Sequence, residues 1–182
     1  MLRRSDIDHI LRAAAALTGH ARFVMVGTGA VIATAKHIPV AMMLTNEIDI
    51  YADGVPDPEP ISDLIDASIG HLSQFDRTFG YYGDGVSART AVMPVDWRTR
   101  ASEYVTLDAL ATAVCPSADD IAIAKLCAWR EKDQAWLREA VRYGIVKADS
   151  IAALLRTELL AESPDPDELR RRLIVVTGPD QE

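Results

Sequence analysis

Cysteine is nearly missing from this sequence: Cys115 and Cys127 are the only two among 182 residues. Two thiols at that spacing build neither a disulfide scaffold nor a four-ligand zinc site, so reduced, buried side chains are expected. Long apolar runs are missing as well. No stretch approaches the roughly 18 apolar residues of a membrane-spanning helix. The opening Met1-Leu2-Arg3-Arg4 runs into Asp6 and Asp8, so no secretory signal is expected and the chain reads as soluble and cytoplasmic. Positive charge is in deficit. Nineteen Lys and Arg against 27 Asp and Glu leave a net charge of −8, which opposes a broad basic footprint for nucleic acid. Any such contact would be local, at Arg98 and Arg100 or at Arg170-Arg171-Arg172. Neither a Gly-x-Ser-x-Gly elbow nor a His-Glu-x-x-His pair occurs, which leaves serine-hydrolase and zinc-protease readings without support. The four histidines, His9, His20, His37 and His71, show no ligand spacing and read as surface or structural groups.

What is present is ordinary globular material, 49% hydrophobic and 25% charged. A chain of this length buries roughly 70% of the surface its unfolded form exposes, enough for one real core. Residues 6–17 carry Ile7, Ile10, Leu11, Ala14 and Leu17 on one helical face, closed by Gly19. Phe23-Val24-Met25-Val26 reads as a buried strand leading into Gly27-Thr28-Gly29 and a helix over 30–35. Residues 47–52 alternate, Ile48, Ile50 and Ala52 against Glu47, Asp49 and Tyr51, so a strand carries both carboxylates on one face. A proline-punctuated loop and an amphipathic helix over 61–72 follow. The glycine- and tyrosine-rich stretch 79–85 is expected to be irregular, and 90–93 and 104–107 to be short strands. Ser117 with Asp120 marks a helix start, with helices over 121–129, 132–143 and 150–159, and Asp165-Pro166 opens a last short one to about 173. The expected fold is α+β in one domain, residues 1–182: a mixed sheet flanked by helices over about 1–112, then a helical part over about 113–175.

Three features carry chemistry. Glu47 and Asp49 lie about 7 Å apart along a strand, a spacing that lets both reach one hard cation that also takes phosphate oxygens. Acid-x-acid is equally the pattern of a solvated strand face. Gly27-Thr28 lies between strand and helix, where a backbone without Cβ and a helix N-terminus can receive phosphate, although an ordinary turn has the same look. It is neither a Walker loop nor a dinucleotide fingerprint. Lys125 is the single charge in the apolar segment 121–129, so its ammonium either reaches the surface or points at an anion in a cleft. Arg130-Glu131-Lys132-Asp133 reads as a solvated charge run, with Arg130 and Asp133 within reach of the same cleft.

Together these pieces resemble the nucleotidyltransferase superfamily, and more closely small bacterial nucleotidyltransferase-like proteins akin to the AbiEii-type and mycobacterial toxin enzymes. The stretches that carry the resemblance are Val26-Gly27-Thr28, Glu47 to Tyr51, Phe79 to Tyr82, Thr90 to Pro94 with Trp97-Arg98, and Asp120 to Asp133, the last being the most specific. The resemblance implies Mg²⁺ or Mn²⁺ on Glu47 and Asp49, and a nucleoside triphosphate on Gly27, Thr28, Lys125 and Arg130. Asp133 would orient Lys125. It also implies a tRNA end or a protein hydroxyl as acceptor, and an antitoxin as partner. A third metal carboxylate is not evident, with Asp96 as the candidate, so a catalytically degenerate fold used for binding or regulation is the alternative.

Overall fold

The computed structural model describes residues 1–160 and 163–178. Five strands form one mixed sheet in the order β3-β2-β1-β5-β4. These are β1 (Arg22–Val26), β2 (Glu47–Ala52), β3 (Tyr82–Gly85), β4 (Ser102–Val105) and β5 (Thr112–Cys115). The helices are α1 (Arg4–Thr18), α2 (Gly27–Thr34), α3 (Glu59–Ile69), α4 (Gln74–Phe79), α5 (Ala118–Ala128), α6 (Glu131–Arg142), α7 (Ala148–Leu154) and α8 (Pro166–Thr177). The architecture is therefore α+β, with four helices following the last strand. Among the described residues, no helix is long and apolar enough to cross a membrane.

The sheet takes its topology from where the chain must bury strands. β1 is apolar from Phe23 to Val26 and buried at each of those positions, so it sits centrally between β2 (antiparallel) and β5 (parallel). β2 keeps the alternation seen in the sequence: Ile48 and Ile50 are fully buried, while Glu47 and Asp49 stay partly accessible on the other face. The isoleucine face packs against α1 and α3, because a Cβ on Gly83, the partner of Ile48, would touch Ile10 and Ile69.

The stretch expected to be irregular contains β3, paired parallel to β2, and a short helix, α4, precedes it. Glycine disfavours a strand in general, but here α3 comes so close that nothing larger fits. A Cβ on Gly85 would lie 1.8 Å from the Ser62 carbonyl oxygen. Residues 90–93 do not form a strand; Pro94 makes only an isolated bridge to Leu159. β5 went unrecognised in the sequence, and it falls on the boundary drawn between the strand-rich and helical parts. Ser117 caps α5 through the Asp120 amide, and α6, expected from 132, begins at Glu131. The helix expected over 150–159 is α7, which starts two residues earlier and ends at Leu154, and α8 runs on to Thr177.

Because α3 and β3 meet backbone to backbone, Gly85→Ala should force them apart. The expected loss is about 2 kcal/mol or more of unfolding free energy in urea titration, the scale of overpacking a core. An unchanged midpoint would contradict this packing.

Candidate functional site

The site begins where β1 ends. Val26 pairs with Asp49 across the sheet, and the next residue, Gly27, turns the chain into α2 with φ +68°. Only glycine takes that conformation cheaply. A second constraint acts at the same atom, since a Cβ on Gly27 would stand 2.8 Å from Asp49 Oδ2. The glycine thus lets the chain turn and lets the carboxylate lie against the backbone. Among the described residues, no group donates a hydrogen bond to that carboxylate.

Glu47, two residues earlier on the same face, is held at both oxygens. The Tyr82 hydroxyl donates to Oε2 at 2.8 Å and the Lys132 ammonium to Oε1 at 3.1 Å. Tyr82 can do this because β3 places it directly across from Glu47. The same register sets Asp84 across from Asp49, where its Oδ1 accepts from the His71 amide at 3.0 Å. Burial, with the charges of Glu47 and Asp84 added, pushes the Asp49 carboxyl up to about 6 against the opposing pull of Lys132 and Lys125. Burial also pushes Glu47 up, but the bonds from Tyr82 and Lys132 outweigh it and leave that carboxyl below its ordinary value. Asp84 is raised, chiefly by burial.

The facing wall comes from α5 and α6. α5 ends at Trp129 in the left-handed region, φ 54°, and Arg130 opens α6 immediately. That sharp junction folds the charge run back onto Lys125. Asp133 is fully buried; its Oδ1 accepts from the Lys125 ammonium at 3.1 Å and its Oδ2 from Arg130 Nε at 2.7 Å. Burial alone would raise Asp133, but the Arg130 bond and the Lys125 charge prevail and keep it ionised. Burial draws Lys125 below the ordinary lysine range, with Asp133 opposing. Its ammonium lies 5.0 Å from the Trp136 ring centroid.

One cleft of about 410 Å³ is lined by Gly27, Thr28, Glu47, Asp49, Lys125 and Arg130, together with Lys132. Its volume suits a small-molecule site. Met42, Leu44 and Trp136 add apolar surface to its lining. Asp133 does not line the cleft but anchors both cations from behind. The third-acid candidate, Asp96, is elsewhere: it is exposed and paired with Arg100 at 2.8 Å. Arg100 also grips the fully buried Asp120 at 2.7 Å, and Arg98 pairs with Asp53 at 2.7 Å. Arg170, Arg171 and Arg172 are tied to Asp167 and Glu168 on their own helix. The guanidiniums singled out for nucleic acid are thus each engaged with an acid. His9, His20 and His71 pack against aromatic rings, and none of the four histidines lines the cleft. Cys115 is buried and Cys127 half-buried, both unbridged.

Sequence reasoning missed Tyr82, Asp84 and Lys132. A signal existed for the first two, because Tyr82 and Asp84 alternate with Gly83 and Gly85 as Glu47 and Asp49 do with isoleucine.

A family described as "Nucleotidyltransferase of unknown function (DUF6036)" matches residues 5–175. The chain belongs to this nucleotidyltransferase family. The match spans the sheet, the cleft and nearly all of the helical part, and it implies a nucleotide substrate. No curated protein and no solved structure matches the chain.

The raised Asp49 carboxyl sets a pH dependence. Its folded value, about 6, lies above the ordinary aspartate value of 3.8, so the fold favours the protonated form. The penalty is absent below about pH 4 and grows as pH rises through 6. Asp49→Asn should therefore leave stability unchanged at pH 4 and raise it at pH 8 in metal-free buffer, by on the order of 2 kcal/mol. Melting curves at the two pH values check this; a loss at pH 8 would contradict it.

Proposed function

We propose that this nucleotidyltransferase is metal-dependent and moves a nucleotide from a nucleoside triphosphate to a hydroxyl acceptor. One observation carries the reading. Asp49 is a half-buried carboxylate that accepts from no donor among the described residues, beside Glu47 and Asp84, in a cleft whose opposite wall is cationic. Like charges held together without a partner cost free energy, and a cation between them removes that cost. The donor set fits a hard ion: Glu47 and Asp49 offer oxygens only. Among the described residues, no three acids, histidines or cysteines are placed to hold an ion by themselves. Phosphate oxygens would complete the shell, as Mg²⁺ or Mn²⁺ accepts them.

Glu47 and Asp49 would hold such an ion, which would supply Lewis acidity toward the phosphates when bound. The chain's own groups do the rest. Thr28 and the backbone at Gly27 receive phosphate oxygens at the start of α2. Lys125 and Arg130, held by Asp133, neutralise charge as the acceptor oxygen attacks the α-phosphorus and pyrophosphate leaves. Asp84, bonded to the His71 amide and outside the cleft lining, strengthens the field at Asp49 without joining its ligand set. Catalysis of this kind is positioning and electrostatics rather than covalent chemistry.

The resemblance of the sequence to AbiEii-type and mycobacterial toxin enzymes extends the proposal to a tRNA end or protein side chain as acceptor, an antitoxin as partner and the cytoplasm as location. The net charge of −8 and the engaged arginines mean that an RNA acceptor would be held at the cleft mouth and not over a wide surface. A degenerate fold used for binding is the second reading, favoured by the full engagement of Glu47 by Tyr82 and Lys132.

Incubation with labelled nucleoside triphosphates, Mg²⁺, and tRNA or lysate separates the two. Transfer should occur and fall by at least about 10³-fold in Glu47→Ala and Asp49→Ala, and by about 10²-fold in Lys125→Ala. Triphosphate binding without transfer under any divalent metal would favour the degenerate reading; neither binding nor transfer would end the enzyme reading.

A further inference from the structure

Glu47 reaches the cleft with no free oxygen. Its two partners differ in how firmly they are held. Tyr82 is buried on β3, and its phenol sits directly across the sheet. The Lys132 side chain is 61% exposed and comes from the first turn of α6, beside Arg130. A divalent ion that joins Glu47 to Asp49 needs one Glu47 oxygen. Lys132 is the partner that can yield it, because a mostly exposed ammonium rehydrates at little cost, whereas a buried hydroxyl does not.

We propose that Lys132 is a tethered cation that bars the metal position to a free divalent ion and gives way to one delivered on a triphosphate, moving its ammonium from Glu47 to the phosphate chain. The proposal rests on the reading of Glu47 and Asp49 as metal acids. Its physical basis is a difference between two exchanges. A bare ion must evict the ammonium and leave it beside Lys125 and Arg130 in a shared cleft, where the remaining carboxylate, Glu139, is already paired with Arg142. A metal–triphosphate brings the anion along, within reach of the same side chain. Lys132 would thus be a positioning residue that couples metal entry to nucleotide entry, which no charge run read as solvated surface would do.

The probes are Mn²⁺ alone, followed by electron paramagnetic resonance, and inorganic tripolyphosphate with Mg²⁺, followed by calorimetry, on the full chain. Lys132→Met should bind Mn²⁺ alone about threefold to fivefold more tightly and Mg–tripolyphosphate about as much more weakly, the scale of an exposed ion pair. Lys132→Arg should stay within about twofold of the parent for both, since its charge still reaches Glu47. Arg130→Gln removes a cation that acts on Glu47 through its field without touching it, so its gain for Mn²⁺ should be smaller. Unchanged Mn²⁺ affinity in Lys132→Met, or an equal gain in Arg130→Gln, overturns the proposal. If Mg–tripolyphosphate binds in a manner that Glu47→Gln abolishes, the metal reading stands and only the role of Lys132 falls. If neither probe binds the parent or Lys132→Met, both fall together.

Discussion

The structure is organised around a carboxylate pressed against a glycine. Asp49 can stand next to the β1–α2 junction only because Gly27 has no side chain, and the junction can turn only because Gly27 accepts a positive φ. Both demands fall on one residue. The result is an acid withdrawn from water, beside two more acids, with its charge unanswered by any described donor. Such an arrangement destabilises the empty fold, and natural chains retain an unfavourable buried charge where function depends on it.

The remainder of the site can be understood as a response to that acid. The sheet supplies a tyrosine and a second carboxylate in register, one to hold Glu47 and one to intensify the local field. α5 and α6 supply the cations, two of them tied to a buried acid. Asp133 is spent wholly inside the protein, its two oxygens shared between Lys125 and Arg130, so the wall that faces the acids is rigid. Arg100 does the same at the other end of α5, clamping Asp120 beside the Ser117 cap. Ion pairs thus fix both ends of α5, and the one at Asp133 holds the Lys125 ammonium itself.

Much of this was legible beforehand, for identifiable reasons. The alternation in β2 placed both acids on one face, and the apolar setting of Lys125 marked it as a charge in need of a counterpart. The strand-to-helix position of Gly27 was equally visible. What stayed hidden depended on pairing. Tyr-Gly-Asp-Gly has no local tendency to extend; it becomes a strand because β2 offers hydrogen bonds on one side and α3 closes in from another. Asp84 could not be found while its strand was unseen, and Asp96 drew attention in its place. Lys132 and the burial of Asp133 were concealed by the usual meaning of a charge run. Only the abrupt end of α5 at Trp129 folds that run inward, and a left-handed tryptophan is not something periodicity announces.

The order of the strands has a consequence for how the protein comes into being. β1, near the start of the chain, lies between β2 and β5, and β5 is synthesised long after β3. Loop closure over that span is slow compared with local helix formation. A nascent chain that has emerged only as far as β3 carries the acids with nothing opposite them, an anionic ledge open to solvent. The cationic wall arrives with α5 and α6, so competence would appear abruptly and late, when translation is well past the midpoint.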